Sequence, residues 1–205
     1  MKNIFAVTHE IQATYASLGV SPKQALTPLV RALGFSKAIT GRTVLIVDNS
    51  NLLQGGWGKD WRVDTGESVF THLGGDDLLS ASMVVSTSDR HAQIGYYRFL
   101  ESVGWDVQRH ATLTSKERHI FENEAAVDGG VRVLIRAAAS SREVDSVVLI
   151  GGDGGYTNAV KEARRAGKDV FVLAWAGTLN PALAQAATAH ISIEEMRPLI
   201  ARVVH

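Results

Sequence analysis

The sequence predicts an α/β fold with three layers, in which a mostly parallel central sheet lies between two layers of helices. From Thr43 onward, short apolar runs alternate with amphipathic stretches of helical length. Most of these runs are rich in valine and nearly continuous in hydrophobicity, which is typical of strands buried on both faces. Because each helix returns the chain to the same edge of the sheet, successive strands are expected to run parallel.

The predicted elements continue this alternation to the C-terminus. Strands are expected at residues 43–47, 82–86, 105–108, 146–150 and 169–175. Helices are expected at residues 89–103, 122–139, 156–166, 181–187 and 193–203. Gly104 and Gly167 stand where helices commonly end, and Ser192 with Glu195 has the spacing of a capping box. Residues 54–77 form the least regular segment, in which we expect a mobile loop.

Residues 1–40 are predicted to form a short helical extension in front of a main domain at residues 41–205. The first half of the extension carries apolar side chains at helical spacing. A second helix is expected to begin at Pro22 and to end at Gly34. Pro28 is expected to bend or split it, because proline is favoured only in the first turn of a helix. We expect the extension to mediate self-association or to bind a protein partner.

The composition excludes several kinds of chemistry. The 205 residues include no cysteine, so a thiolate nucleophile, cysteine-ligated zinc and disulfides are excluded, and a metal site must use oxygen or imidazole ligands. The formal net charge is zero, so the totals do not indicate a nucleic-acid or membrane partner. The N-terminus lacks the apolar core of a signal peptide, and no segment approaches the roughly 20 apolar residues of a membrane helix. We therefore expect a cytoplasmic protein with no membrane partner.

Three aspartates stand where a parallel sheet collects its ligands. Asp48 directly follows the first strand, and Asp153 follows the strand at 146–150 after two glycines. Asp128 interrupts an apolar helical stretch that can cross the same edge. A single aspartate at a strand end often begins a turn or caps a helix. Three converging carboxylates repel one another, however, and a divalent cation relieves that repulsion; oxygen ligands favour Mg²⁺ or Mn²⁺.

Three segments in order resemble the motifs of NYN domains, a LabA-like branch of the PIN-like nucleases. They are IVDNSNLL (46–53), NEAAVDGGVRVLI (123–135) and VVLIGGDGGYTNAVKEARRAGKDVFVLAW (147–175). The resemblance implies a PIN-like Rossmannoid fold and a metal-dependent nuclease that most often acts on RNA, with single-stranded RNA as the expected partner. By the same resemblance, Asp48, Asp128 and Asp153 would be the catalytic acids that bind Mg²⁺ or Mn²⁺, supported by Asn51.

The sequence departs from the family pattern at three places. Gly155 stands where the third motif usually carries a second aspartate, and Leu134 and Ile135 occupy a region where many members place an acid. Ala125-Ala126 replaces the usual Lys-Gly pair. A single metal ion is therefore favoured over two. The same departures support an alternative, in which a catalytically weakened domain binds RNA or a protein partner.

The glycines around Asp153 predict a phosphate site. Gly151, Gly152, Gly154 and Gly155 are expected to let the backbone approach a ligand closely and to adopt positive φ. Backbone N–H groups of this turn, ahead of a helix at Tyr156, would then bind an anion.

Polar residues beside two predicted helices are further candidates to bind substrate. Thr157 and Asn158 either bind substrate or satisfy the first turn of their own helix. Ser88 and Arg90 follow the second strand and are candidates to bind a phosphate oxygen, with Ser88 as a plain helix cap the alternative.

Two segments carry residues that either bind nucleic acid or have an ordinary structural role. Residues 109–119 gather arginine, lysine and histidine, either to contact phosphates or to form an ordinary solvated loop. Trp57 and Trp61, next to Lys59 and Arg62, either stack on unpaired bases or fill the core.

Two other kinds of binding site match the sequence less well. DNSNL at 48–52 approaches a metal-dependent adhesion motif, but Leu52 stands where that motif needs a second serine. The first strand is not followed by the glycine fingerprint of a nicotinamide-binding fold.

Overall fold

The alternation of strands and helices is confirmed by the computed structural model, which describes residues 22–87, 91–111 and 119–203. Within these residues, six strands form one parallel sheet in the order β4-β3-β1-β5-β6-β7. The strands are β1 Arg42–Asp48, β3 Asp77–Thr87, β4 Asp106–Ala111, β5 Ser146–Ile150, β6 Asp169–Ala174 and β7 Ala189–Ser192. A separate antiparallel pair joins β2 Trp61–Val63 to β8 Ala201–Val203.

Helices cover both faces of the sheet, as the predicted three-layer arrangement requires. They are α1 Pro22–Ala38, α2 Asn49–Gly56, α3 Glu67–Leu73, α4 His91–Ser102, α5 His119–Ser140, α6 Thr157–Arg165, α7 Pro181–Ala186 and α8 Ile193–Ile200. Leu45 and Val47 of β1 join the core under α1, α3, α4 and α8. Val44 and Ile46 point to the other face and join the core under α5, α6 and α7. This alternation follows from the two-residue period of a strand.

Several sequence predictions about boundaries were wrong. Helix α1 continues through Gly34 to Ala38, since a helical glycine weakens a helix without ending it. Residues 54–77 contain the end of α2, strand β2 and helix α3 instead of a mobile loop. The last helix ends at Ile200, where the chain turns into β8. The helix predicted within residues 1–21 lies outside the described residues.

The predicted helix ends are confirmed. Gly104 and Gly167 have φ values of 107° and 83°, a left-handed conformation that glycine adopts without strain. Ser192 and Glu195 form a reciprocal capping box at the start of α8. In the part of the chain that the structure describes, no helix has both the length and the apolar character needed to cross a membrane.

Candidate functional site

Asp48 is held at the carboxyl end of β1 by its own helix cap. It is the last residue of the strand, and Oδ1 accepts a hydrogen bond from the Asn51 N–H at 3.1 Å at the start of α2. The side chain is buried, and the residue is only 4% exposed. The capping role expected of a strand-end aspartate is thus real, but it uses only one of the two carboxylate oxygens.

The second oxygen of Asp48 meets Asp128 across the hydroxyl of Tyr156. The Tyr156 hydroxyl donates to Asp48 Oδ2 at 2.7 Å, and its oxygen lies 2.9 Å from Asp128 Oδ1. Asp128 comes from the middle of α5, and Tyr156 ends the short 3₁₀ turn Gly154–Tyr156 after β5. Three elements that are distant in sequence therefore bring two carboxylates to one oxygen atom.

The Tyr156 hydroxyl carries a single proton, which limits the protonation states of this group. Both contacts are hydrogen bonds at the same time only when one of the two carboxyl groups is also protonated. Burial, the largest cause, raises the pKa of Asp48 and also that of Asp128. Burial and the neighbouring carboxylates raise the pKa of Tyr156 far above its usual range, so the phenol keeps its proton.

Asp153 lies at the exposed side of the same site. Its Oδ1 accepts a hydrogen bond from the Gly155 N–H and so caps the 3₁₀ turn. Burial is the largest cause of the raised pKa of Asp128, and the negative charge of Asp153 is a further cause. This electrostatic coupling indicates that the two carboxylates are close enough to repel each other.

All three predicted aspartates line one pocket of about 140 Å³. Its other lining residues are Ser50, Asn51, Gln54 and Val127. Among the described residues, no three Asp, Glu or His side chains are arranged to hold a metal ion as they stand. The donors are nevertheless oxygen atoms, and Mg²⁺ typically binds one or two carboxylates and keeps several waters. The chemistry of Asp48 and Asp128 fits such an ion.

Comparisons with known proteins agree with this fold. The family model for the NYN domain matches residues 42–194, which covers the whole parallel sheet. The chain belongs to the NYN domain family. The general kind of this family is the PIN-like nuclease superfamily.

A solved structure of a protein of unknown function from Vibrio parahaemolyticus is also similar to this NYN domain. The TM-score is 0.59 at 17% sequence identity, over 76% of this chain and 94% of that chain. At this identity the likeness supports the fold alone. No curated protein matches the chain significantly.

The glycine-rich turn of this NYN domain packs against protein, which corrects the sequence prediction. Gly151, Gly152, Gly154 and Gly155 all lack positive φ. A Cβ on Gly152 would lie 2.6 Å from the Thr178 backbone oxygen, and one on Gly154 would lie 2.5 Å from Asn180 Nδ2. These two glycines therefore allow the close approach of the segment after β6.

The predicted anion-binding N–H groups of the turn already have protein acceptors. The Gly152 N–H donates to Asn51 Oδ1 at 3.3 Å, and the Gly155 N–H donates to Asp153. The Tyr156 N–H donates to the Asp153 backbone oxygen. The prediction of an anion nest is therefore wrong for these three donors. Asn51 instead links α2 to the turn, and its support of metal-binding acids stays a prediction.

The remaining candidates lie in different places. Thr157 is 8% exposed, and its hydroxyl has no hydrogen-bond partner among the described residues. Asn158 is exposed on α6. Ser88 and Arg90 lie outside the described residues. Substrate binding by these four residues stays a prediction.

Sequence reasoning missed two residues of this site. Tyr156 was predicted only to open the helix after the glycine-rich turn, and the contacts of its hydroxyl with Asp48 and Asp128 depend on the fold. Arg132 follows Asp128 by one helical turn, and its charge opposes the rise in the pKa of Asp128. A Cβ on Gly155, where the family usually carries an acid, would lie 3.5 Å from Arg132 Nη1.

Proposed function

We propose that this NYN domain is a Mg²⁺- or Mn²⁺-dependent ribonuclease that hydrolyses phosphodiester bonds in single-stranded RNA. The observation that carries the proposal is the meeting of Asp48 and Asp128 at one hydroxyl, in a pocket that Asp153 also lines. Placing the half-buried Asp128 carboxylate next to the buried Asp48 carboxylate is unfavourable unless a cation or a proton compensates their charge. Membership of a PIN-like family supports the same chemistry.

Each acid has a separate role in this proposal. Asp48 and Asp128 would hold the cation, which would neutralise charge on the phosphate and activate a water. Asn51 keeps Asp48 in position through its N–H, and its side chain links the same helix to the turn before Asp153. Asp153 is exposed and uses Oδ1 for the Gly155 N–H, so its Oδ2 would order water at the pocket mouth.

The proposal is tested by RNA cleavage with matched aspartate variants. Labelled single-stranded RNA is incubated with Mn²⁺ and with wild-type protein, Asp48→Asn or Asp128→Asn. Asparagine keeps the shape and the acceptor oxygen of aspartate, so the variants are expected to fold and to lose cleavage. Asp106→Asn is the control. Asp106 is exposed at the start of β4, at the amino end of the strands, whereas Asp48 stands at the carboxyl end. This variant should cleave RNA like wild type. Unchanged cleavage by Asp48→Asn would reject the site.

The alternative function is RNA or protein binding without efficient cleavage. It is supported by two positions where the family pattern has an acid and this chain has none. Gly155 lies next to the Arg132 guanidinium without a carboxylate, and Ile135 is fully buried in the core. Leu134 also packs against that core, so neither residue offers an acid to the pocket. RNA binding by both wild type and Asp48→Asn, with cleavage by neither, would favour this alternative.

A further inference from the structure

A second pocket, of about 270 Å³, lies beside the acidic one across helix α2. Asn51 and Gln54 of α2 line the acidic pocket, whereas Leu52, Leu53 and Gly56 line the second pocket. The helix has eight residues and is therefore about 12 Å long. A ligand in the second pocket would lie within reach of a chain that also enters the acidic site.

The second pocket presents the one exposed tryptophan of the protein. Trp57 is 74% exposed, whereas Trp61, Trp105 and Trp175 are 3–4% exposed. Trp61 packs against Trp175 at 5.4 Å between ring centroids, so it fills the core. The sequence left open whether Trp57 and Trp61 fill the core or stack on bases. Trp61 fills the core, and the indole of Trp57 is exposed and free to stack. An exposed indole beside a pocket is free to stack on an unpaired base.

Two arginines also line the second pocket, at directly opposite positions of the β2–β8 pair. Arg62 and Arg202 are paired in register, an arrangement in which like charges destabilise a sheet. Arg62 is fixed by donating from Nη1 to the backbone oxygens of Gly56, Lys59 and Trp61, while Arg202 is exposed.

The charges around the second pocket favour an anionic ligand. Among the described residues that line it, none is acidic. Asp64 interacts electrostatically with Arg202 and partly compensates its charge, but Asp64 does not line the pocket and its carboxylate accepts hydrogen bonds from Ser68 and Gly66. An anion would therefore relieve the repulsion between Arg62 and Arg202.

We propose that the second pocket binds an unpaired nucleotide of single-stranded RNA, with its base stacked on Trp57 and its phosphate contacting Arg202. An indole face accepts any base, and a guanidinium pairs with phosphate, so the combination suits a single strand without sequence preference. The choice of RNA rests on the proposed function, although the pocket itself is separate from the acidic site. One strand would extend across α2 between the two pockets.

Binding is measured by fluorescence anisotropy of a labelled single-stranded RNA, with Asp48→Asn protein in chelator to prevent cleavage. In that background, Trp57→Ala is expected to weaken binding roughly 5- to 150-fold, the range for removing one stacking platform. Trp57→Phe should restore most of the affinity. Val133→Ala is the control, because Val133 is 64% exposed on α5, on the other face of the sheet. This variant should bind RNA with unchanged affinity.

Tryptophan fluorescence measures RNA binding independently, because a folding defect in a variant would not produce quenching that depends on RNA. RNA should quench the emission of the Asp48→Asn protein, and Trp57→Phe should abolish that quenching because the other tryptophans are buried. Duplex RNA and poly-glutamate should quench little, since neither offers an unstacked base. Equal quenching by poly-glutamate, or unchanged affinity in Trp57→Ala, would overturn the proposal.

The two proposals fail in different ways. If Trp57→Ala binds normally while Asp48→Asn loses cleavage, the second pocket is rejected and the nuclease stands. If quenching and the Trp57→Ala defect appear but wild type never cleaves with Mn²⁺, the nuclease is rejected and the nucleotide pocket stands.

Discussion

The hydroxyl of Tyr156 lies 2.7 Å from Asp48 Oδ2, at the carboxyl end of the first strand. The same oxygen contacts Asp128, so a neutral donor stands between the two carboxylates that family resemblance assigns to a metal. A phenol proton can stabilise this pair without metal, and a cation bound to the same carboxylate oxygens would compete with it. We therefore expect Tyr156 to couple metal binding to the protonation and stability of the site.

Tyr156→Phe is expected to separate these two effects. Without metal, the variant should lose about 1–3 kcal/mol of stability, because the buried Asp48 and the half-buried Asp128 lose a hydrogen-bond donor. With Mn²⁺, its gain in melting temperature should exceed that of wild type, since the hydroxyl no longer competes for the carboxylates. Thermal unfolding in chelator and in Mn²⁺ measures both.

Tyr97→Phe is the control for that experiment. Tyr97 donates to the Ser86 backbone oxygen at 3.0 Å, so its variant removes a phenol at a different position. It should change stability without changing the response to Mn²⁺. An identical Mn²⁺ response in Tyr156→Phe and wild type would show that the hydroxyl does not compete with the metal.

Asp48→Asn is expected to stabilise the metal-free protein at neutral pH. Because burial raises the pKa of Asp48 above its ordinary value of 3.8, the folded state binds a proton more readily than the unfolded state. The contribution of Asp48 is therefore fully present at acid pH and is lost as pH rises through the raised pKa. Denaturant unfolding between pH 4 and 7 should show a difference, wild type minus variant, that falls as pH rises. A flat difference would contradict the raised pKa.

Metal binding should release protons and strengthen with pH. The Asp48–Tyr156–Asp128 group makes both of its hydrogen bonds only with an extra carboxyl proton, which a cation would displace. Titration calorimetry with Mn²⁺ in two buffers of different ionisation enthalpy measures the proton count. Net proton release that declines as the pH rises is expected, because the raised pKa values leave fewer carboxyl protons at higher pH. Heats that do not depend on the buffer would rule out this linkage.

Gly152→Ala is expected to destabilise the fold through backbone packing. Its Cβ would lie 2.6 Å from the Thr178 backbone oxygen, so the segment after β6 must shift, at a cost of about 1–3 kcal/mol. Gly34→Ala is the matched control, because its Cβ meets no atom within 4 Å in helix α1. That variant should gain about 0.5–1 kcal/mol from helix propensity. Denaturant unfolding compares the two, and equal effects would refute the packing argument.

The sequence by itself determined the layered fold and the three aspartates. Strand hydrophobicity is a local pattern, so β5 was predicted with the correct limits at 146–150. Parallel strands share a carboxyl edge, so Asp48 and Asp153 were expected at one end of the sheet. Caps at Gly104 and Ser192 were equally readable, because a helix end depends on neighbouring residues alone.

Only the tertiary structure decided which groups touch. The strand β2 was invisible because its partner β8 comes from the far end of the chain. Trp57 and Trp61 are alike in sequence and opposite in burial, since burial depends on what the fold brings against each ring. The hydroxyl of Tyr156 contacts Asp48 and Asp128 because the fold places β1 and α5 next to the turn that holds it. Contacts between distant segments follow from packing in three dimensions, which a local residue pattern does not encode.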